Sequence, residues 1–296
     1  MTVRAAEPGP IQAQITEHYV DHGGYRVREL AVAGTSPTVV FLHGFGHAAD
    51  CWLPVLESCA NAGQRAVAID LPGFGKSAPL GGGSILEQLD TCVSDLIVRR
   101  SDGERVVLVG NSLGALLALR AAQRSRALPV LGVVALGAPG FGWTRIVRAI
   151  CLANNAGLRA LSYVVPALPM PAFLAVRVAT YLCYGRKDRA DPQMLGLVTG
   201  QLADRTATRR LLKLAVRLKG EVDQLSPLGV IDSRCTVVHG SRDPLVSLRG
   251  ARTVRRVIAG SRLVVLPHAG HCPQLDEHDR VTQLVLELTR ATAARP

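Results

Sequence analysis

Gly110-Asn111-Ser112-Leu113-Gly114 is the segment that most narrows what this chain can become. It follows the apolar run Val106 to Val109 without a break and opens onto an Ala/Leu stretch of helical composition. A strand that passes into a helix around one serine must turn sharply, and the flanking glycines let neighbouring backbone approach where a side chain would collide. Ser112 is therefore expected in a strained conformation, with Oγ projecting above the end of a sheet. The Leu113 N–H stands at the start of the helix and points toward an anion developing on a substrate.

The surrounding pattern supplies the sheet. Glu17 to Val20 and Tyr25 to Leu30 flank Asp21-His22-Gly23-Gly24, a hairpin with a glycine turn. Thr38 to Leu42, Ala66 to Ile69, Val106 to Val109 and Val130 to Leu136 read as buried strands, separated by helical segments near 52–62, 85–100 and 113–124. Strands alternating with helices at this spacing predict an α/β fold with a mostly parallel central sheet and helices on both faces. From Gly140 to about Arg234 strand-like runs vanish. Alternation then resumes with Thr236 to Val238, a helix over Leu248 to Ile258, a strand over Leu263 to Leu266 and a closing helix over Val281 to Ala291. One core interrupted by an insertion follows: residues 1–140 and 235–296 form the core, and 141–234 form a helical cap. The tail from Ala291 to Pro296 is expected to fray.

A serine of this kind needs a base and an acid that orients it. Asp243 stands in His239-Gly240-Ser241-Arg242-Asp243-Pro244, on the loop after a late strand. His271 stands in Pro267-His268-Ala269-Gly270-His271-Cys272-Pro273, on the loop after the next strand. His268 lies nearer the strand end and reads as structural. Asp232, on the approach to the strand, is the weaker acid, because the carboxyl ends of strands carry the chemistry in open α/β sheets. After the Thr38–Leu42 strand, His43-Gly44-Phe45-Gly46 lets a backbone N–H turn toward the nucleophile, and Phe45 N–H is the second candidate oxyanion donor beside Leu113 N–H. His43 is expected to pack or hydrogen-bond beneath that loop. Asp70-Leu71-Pro72-Gly73-Phe74-Gly75-Lys76-Ser77 ends like a phosphate loop but lacks its first glycine, so it reads as a structural turn.

Taken together, His43 to Gly46, Asp70 to Gly75, Gly110 to Gly114, Gly240 to Asp243 and Gly270-His271 resemble the α/β-hydrolase superfamily in order and spacing, over roughly 17–140 and 235–290. A serine nucleophile resembles the esterase branch and the meta-cleavage-product C–C hydrolases, not the branches that use a carboxylate. The resemblance implies a hydrolase cleaving a hydrophobic carboxylic ester or thioester through an acyl-enzyme on Ser112. The alternatives it leaves open are C–C bond hydrolysis of the meta-cleavage type, or biosynthetic acyl transfer or cyclisation on the same triad. In the C–C hydrolases a tryptophan usually follows the histidine; here Cys272-Pro273-Gln274-Leu275-Asp276 follows.

Composition bounds the rest. The chain has 296 residues, 48% of them hydrophobic and 19% charged, which excludes intrinsic disorder. An aromatic content of 4% argues against a stacking platform for single-stranded nucleic acid. The net charge is +11, yet no run of five or six basic residues and no nucleic-acid motif occurs, so nucleic acid is not an expected partner. Residues 141–234 hold 14 of the 34 basic residues and six of the 23 acidic ones, so most of the charge lies in the insertion. That leaves open a weak association of the basic cap with an anionic membrane surface, beside a small hydrophobic acyl substrate as the main partner. The uncharged stretch Ala160 to Val176 holds three prolines and is too short and broken to span a bilayer. Seven cysteines with no C-x-x-C pair suggest buried free thiols, and neither a zinc site nor a disulfide framework. No metal and no organic cofactor is called for. The first residues lack the apolar core of a signal peptide, and a cytoplasmic location is the expectation.

Overall fold

In the computed structural model, which describes residues 15–150, 160, 164, 172–200 and 205–293, eight strands form one sheet. β1 (Thr16–His22) and β2 (Tyr25–Val32) make the glycine-turned hairpin at one edge. β3 (Thr35–Leu42), β4 (Gln64–Ile69), β5 (Val106–Asn111), β6 (Val130–Leu136), β7 (Arg234–Gly240) and β8 (Arg262–Leu266) run parallel to one another. The spatial order is β1-β2-β4-β3-β5-β6-β7-β8, with β2 antiparallel to β4.

The strands are short runs of Val, Leu, Ile and Ala because both faces are covered. Val40, Leu42, Leu108, Val133 and Val237 point to one face, with α2 (Ile85–Ser101), α3 (Leu113–Gln123) and α8 (Leu248–Val257). Val39, Phe41, Val107, Val109, Val134 and Val238 point to the other, with α1 (Leu53–Asn61) and α10 (His278–Ala293). Two-residue alternation along each strand therefore feeds two apolar cores instead of one wet and one dry face. Helix starts follow local chemistry: Ser84 caps α2 by accepting from Glu87 N–H, and Ser247 caps α8 by accepting from Gly250 N–H.

Between β6 and β7 the described segments are helical: α4 (Arg145–Ile150), α5 (Ala172–Cys183), α6 (Pro192–Gly200) and α7 (Arg205–Asp223). Most of the apolar stretch Ala160 to Val176 and the N-terminal segment read for a signal peptide lie outside the described residues. The closing helix is longer than the sequence pattern predicts. It starts at His278, is preceded by the short α9 (Pro273–Asp276), and continues to Ala293, so the first residues of the expected frayed tail are helical. Val281, Leu284, Val285 and Leu288 pack on the sheet and hold it there. The chain leaves β3 toward β4 on one side and returns to place β5 on the other. The crevice at this reversal, beyond the strands' carboxyl ends, is where open α/β sheets bind ligands.

Candidate active site

Ser112 lies at that reversal, between β5 and α3, with φ +50° and ψ −115°. Positive φ is strained for a side-chain-bearing residue, and it persists only where the surroundings enforce it. Here the enforcement is close packing. A Cβ on Gly110 would stand 2.2 Å from the Gly114 carbonyl oxygen, and one on Gly114 would stand 2.1 Å from that of Leu42. The Ser112 N–H donates to Leu136 O (2.8 Å), and its carbonyl accepts from Leu116 N–H (3.0 Å).

Asp243 and His271 meet as the sequence predicts. His271 Nδ1–H donates to Asp243 Oδ2 at 2.8 Å, and both side chains are buried. The other oxygen, Oδ1, accepts from Leu245 N–H (2.8 Å) and Val246 N–H (2.9 Å), which fixes the carboxylate's orientation. Gly137, at φ +58°, lies against the pair: a Cβ there would stand 3.4 Å from Asp243 Oδ2 and 3.5 Å from His271 Nδ1. Burial works against ionisation of both groups. The charge and hydrogen bond that each offers the other outweigh it, holding the Asp243 carboxyl below and the His271 imidazolium above their ordinary ranges.

The loop after β3 runs along the nucleophile. A Cβ on Gly44 would stand 3.2 Å from Ser112 Cβ, and Phe45 is the next residue of this loop. The Phe45 ring sets its edge against Phe74, with centroids 5.3 Å apart. Leu113 opens α3, and its N–H is among the first-turn donors that have no acceptor within the helix. His43 packs under this loop: Nδ1–H donates to Gly44 O (2.7 Å) and Nε2 accepts from Leu71 N–H (2.9 Å). With both nitrogens engaged and burial lowering its pKa to about 4, it stays neutral. The Asp70 turn is structural as well, its carboxylate accepting from Ala49 N–H and Lys76 N–H. His268 is exposed, its Nδ1 3.4 Å from Arg242 Nη2, and Asp232 is exposed ahead of β7.

Three residues that sequence reasoning passes over hold this arrangement. Asn111 Nδ2 donates to the His271 carbonyl at 2.8 Å, tying the histidine loop to the residue before the nucleophile. Asp276 is buried and accepts from Gly270 N–H (2.7 Å), Gly185 N–H (2.9 Å) and Arg186 N–H (3.1 Å), binding the histidine loop to the end of α5. Glu221 of α7 accepts from Ser84 Oγ and from Ile85 and Leu86 N–H, a carboxylate at the positive end of α2. Asn111 is the variable letter of its motif, Glu221 lies far along the chain from what it binds, and so does Asp276 from Gly185 and Arg186. A cleft of about 630 Å³ beside α7 is lined by Leu116, Phe141, Trp143, Val222 and Leu228, and includes neither Ser112 nor His271. No described helix is long and apolar enough to cross a membrane.

The sequence model of the alpha/beta hydrolase family matches residues 39–284. The dihydrolipoyllysine-residue acetyltransferase component of the acetoin cleaving system of Cupriavidus necator is 37% identical over 142 residues, which is 47% of this chain and 36% of that protein. The chain thus spans about a third of that relative's length. The 2-hydroxy-6-oxononadienedioate/2-hydroxy-6-oxononatrienedioate hydrolase of Cupriavidus pinatubonensis is 27% identical over 89% of this chain and 90% of its own. Among solved structures, a membrane phospholipase A described as a bacterial virulence factor superposes with a TM-score of 0.77 at 20% identity, covering 95% of this chain and 87% of that one. With its parallel sheet, its strained serine elbow and the family match over most of its length, the chain belongs to the alpha/beta hydrolase family.

Proposed function

We propose that the protein is a serine hydrolase that cleaves a hydrophobic carboxylic ester or thioester through an acyl-enzyme on Ser112. The observation that carries this reading is the buried 2.8 Å hydrogen bond from His271 to Asp243, held on loops beside a serine at φ +50°. His271 accepts the Ser112 proton as Oγ attacks the substrate carbonyl. Asp243 keeps Nδ1 protonated, so that Nε2 is the free base, and stabilises the imidazolium that forms. The N–H groups of Phe45 and Leu113 hold the oxyanion. The proton on Nε2 then passes to the leaving group, and the same nitrogen activates the water that releases the acid.

Residues 141–234 are assigned as a cap over this site, fastened by Glu221 and Asp276. On α5, Phe173, Leu174, Val178 and Tyr181 are exposed within a positively charged segment, and this supports weak association with anionic membrane surfaces. Co-sedimentation with phosphatidylglycerol vesicles tests it, with binding expected at low salt and loss expected in Phe173→Asp.

The activity test is a p-nitrophenyl ester series from acetate to palmitate, on the wild type and on Ser112→Ala. Turnover and labelling by a fluorophosphonate are expected in the wild type and absent in the variant. No turnover at any chain length, together with an unlabelled Ser112, overturns the reading. The second reading is C–C hydrolysis, favoured by the likeness to the Cupriavidus pinatubonensis hydrolase along nearly the whole chain. Hydrolysis of a 2-hydroxy-6-oxo-dienoate in preference to every ester would decide for it.

A further inference from the structure

Away from the triad, three side chains from distant parts of the sequence converge on one buried point. His47 follows the loop beside the nucleophile, Cys183 ends α5, and Cys272 follows His271 directly. His47 Nε2 lies 3.5 Å from Cys183 Sγ and 3.8 Å from Cys272 Sγ, and all three donor atoms are within 4.8 Å of one another. The three residues are buried, and the backbone closes the group, Cys272 N–H donating to Cys183 O at 3.0 Å.

We propose that His47, Cys183 and Cys272 form a binding site for a thiophilic divalent cation of the zinc class. The geometry fits the ion: with Zn–S near 2.3 Å and Zn–N near 2.0–2.1 Å, sulfur and nitrogen ligands of a tetrahedral zinc stand about 3.6 Å apart. The ligand set fits too, since two thiolates and an imidazole select zinc over calcium or magnesium. Binding forms two Zn–S bonds and one Zn–N bond and releases two thiol protons to solvent, with no change of oxidation state.

Three protein ligands leave a fourth position, and the surroundings supply it. A small cavity of about 10 Å³, lined by Gly46, His47, Cys51 and Met194, opens beside the imidazole, about the space of one water. Gln274 is wholly buried two residues beyond Cys272. Its Nε2 lies 3.9 Å from Cys51 Sγ, and its Oε1 has no protein partner, an acceptor available to a metal-bound water. The sequence shows none of this, because the ligands are 136 and 225 residues apart in their His–Cys pairings.

An ion here would pin the end of α5 to the histidine loop and to the loop beside Ser112, without touching the reacting atoms. Its role is to stiffen the frame of the site. The proposal is independent of which bond the enzyme cleaves.

The test uses the full chain, reduced and freed of metal by a chelator, and titrated with Co²⁺ as the probe. One equivalent is expected to produce a thiolate-to-cobalt charge-transfer band and the intense visible bands of tetrahedral cobalt, both removed by competing Zn²⁺. Cys183→Ser and His47→Gln should lose the bands and the Zn²⁺-dependent rise in Tm, while Cys59→Ser, a buried thiol elsewhere, should keep both. Fold integrity is read from far-UV circular dichroism, so that a misfolded variant is not scored; Cys272→Ala then replaces it. No charge-transfer band in the reduced wild type overturns the proposal, and so does a band that survives in both Cys183→Ser and His47→Gln.

Discussion

The sheet and the helices that interrupt it are built on different terms. In α3, nine of eleven residues are buried, and they lie between strands whose side chains are almost all inaccessible. In α7, three of nineteen are buried, and the helix is rich in arginine and lysine. The first kind of element is held by apolar area removed from water, at roughly 25 cal/mol per Å². The second rests a narrow apolar stripe on that core, Leu211, Leu214, Leu218 and Val222 of α7, and adds charge-assisted hydrogen bonds: Glu221 on the start of α2, Asp276 on Gly185 and Arg186, and Arg242 Nη1 donating to Gly185 O at 3.0 Å. The difference teaches that chemistry and access are separable here. In the proposed reading the strand ends carry the reacting groups, and the insertion, joined to the core through the polar clamps Glu221 and Asp276 and its apolar stripe, sets access to them.

Substitutions at the strand ends should therefore cost rate, and substitutions at the clamps should cost stability. The largest effect is expected from Ser112→Ala, which should lower kcat about 10³-fold or more against the best p-nitrophenyl ester with an unchanged melting curve. Asp243→Asn should follow, at about 10²- to 10⁴-fold, because Asn cannot hold His271 in the needed tautomer.

The same pair dictates the pH dependence. His271 must be neutral to accept the serine proton, and Asp243 raises its pKa above the ordinary 6.5 even though burial pulls the other way. Activity should accordingly climb with rising pH and reach half-maximum above 6.5. In Asp243→Asn the residual activity should reach half-maximum at a lower pH, since burial then acts without the carboxylate. A midpoint that does not move would mean that another group controls the histidine.

Asp276→Ala tests the clamp nearest the site. One buried and two half-buried N–H groups lose their acceptor, so stability should fall by about 2 kcal/mol, read from urea unfolding, with a smaller loss of kcat than Asp243→Asn. The smallest effect is expected at Glu221→Gln, about 1 kcal/mol, from the weakened charge at the α2 N-terminus. If either clamp variant lost as much rate as Asp243→Asn with its stability intact, the separation of chemistry from access would fail.

Much of this was legible in residues alone, for reasons visible in the structure. The buried strands announce themselves as valine-rich runs because both faces are covered, and their boundaries extend by only a few residues at most, as with β5 reaching Asn111. Asp243 and His271 were findable because each follows a strand end closely, where the backbone has few choices. A His43 hydrogen-bonded beneath the loop follows from its place before a glycine turn in the same way. Asn111, Asp276 and Glu221 were not findable, since nothing local distinguishes a structural amide or carboxylate from a solvated one. The cysteines' neighbours in space were not legible either: none lies close to another along the chain, whereas folding brings Cys183 and Cys272 beside one imidazole.

The sequence by itself determined the layer order, the strained serine and the order of its partners along the chain, because these rest on two-residue and helical periodicity and on glycines at fixed offsets. Only the tertiary structure decided which polar groups far apart in the chain share a buried point. That choice depends on which loops the sheet brings to one end, and on the cost of leaving a buried N–H or carboxylate there without a partner.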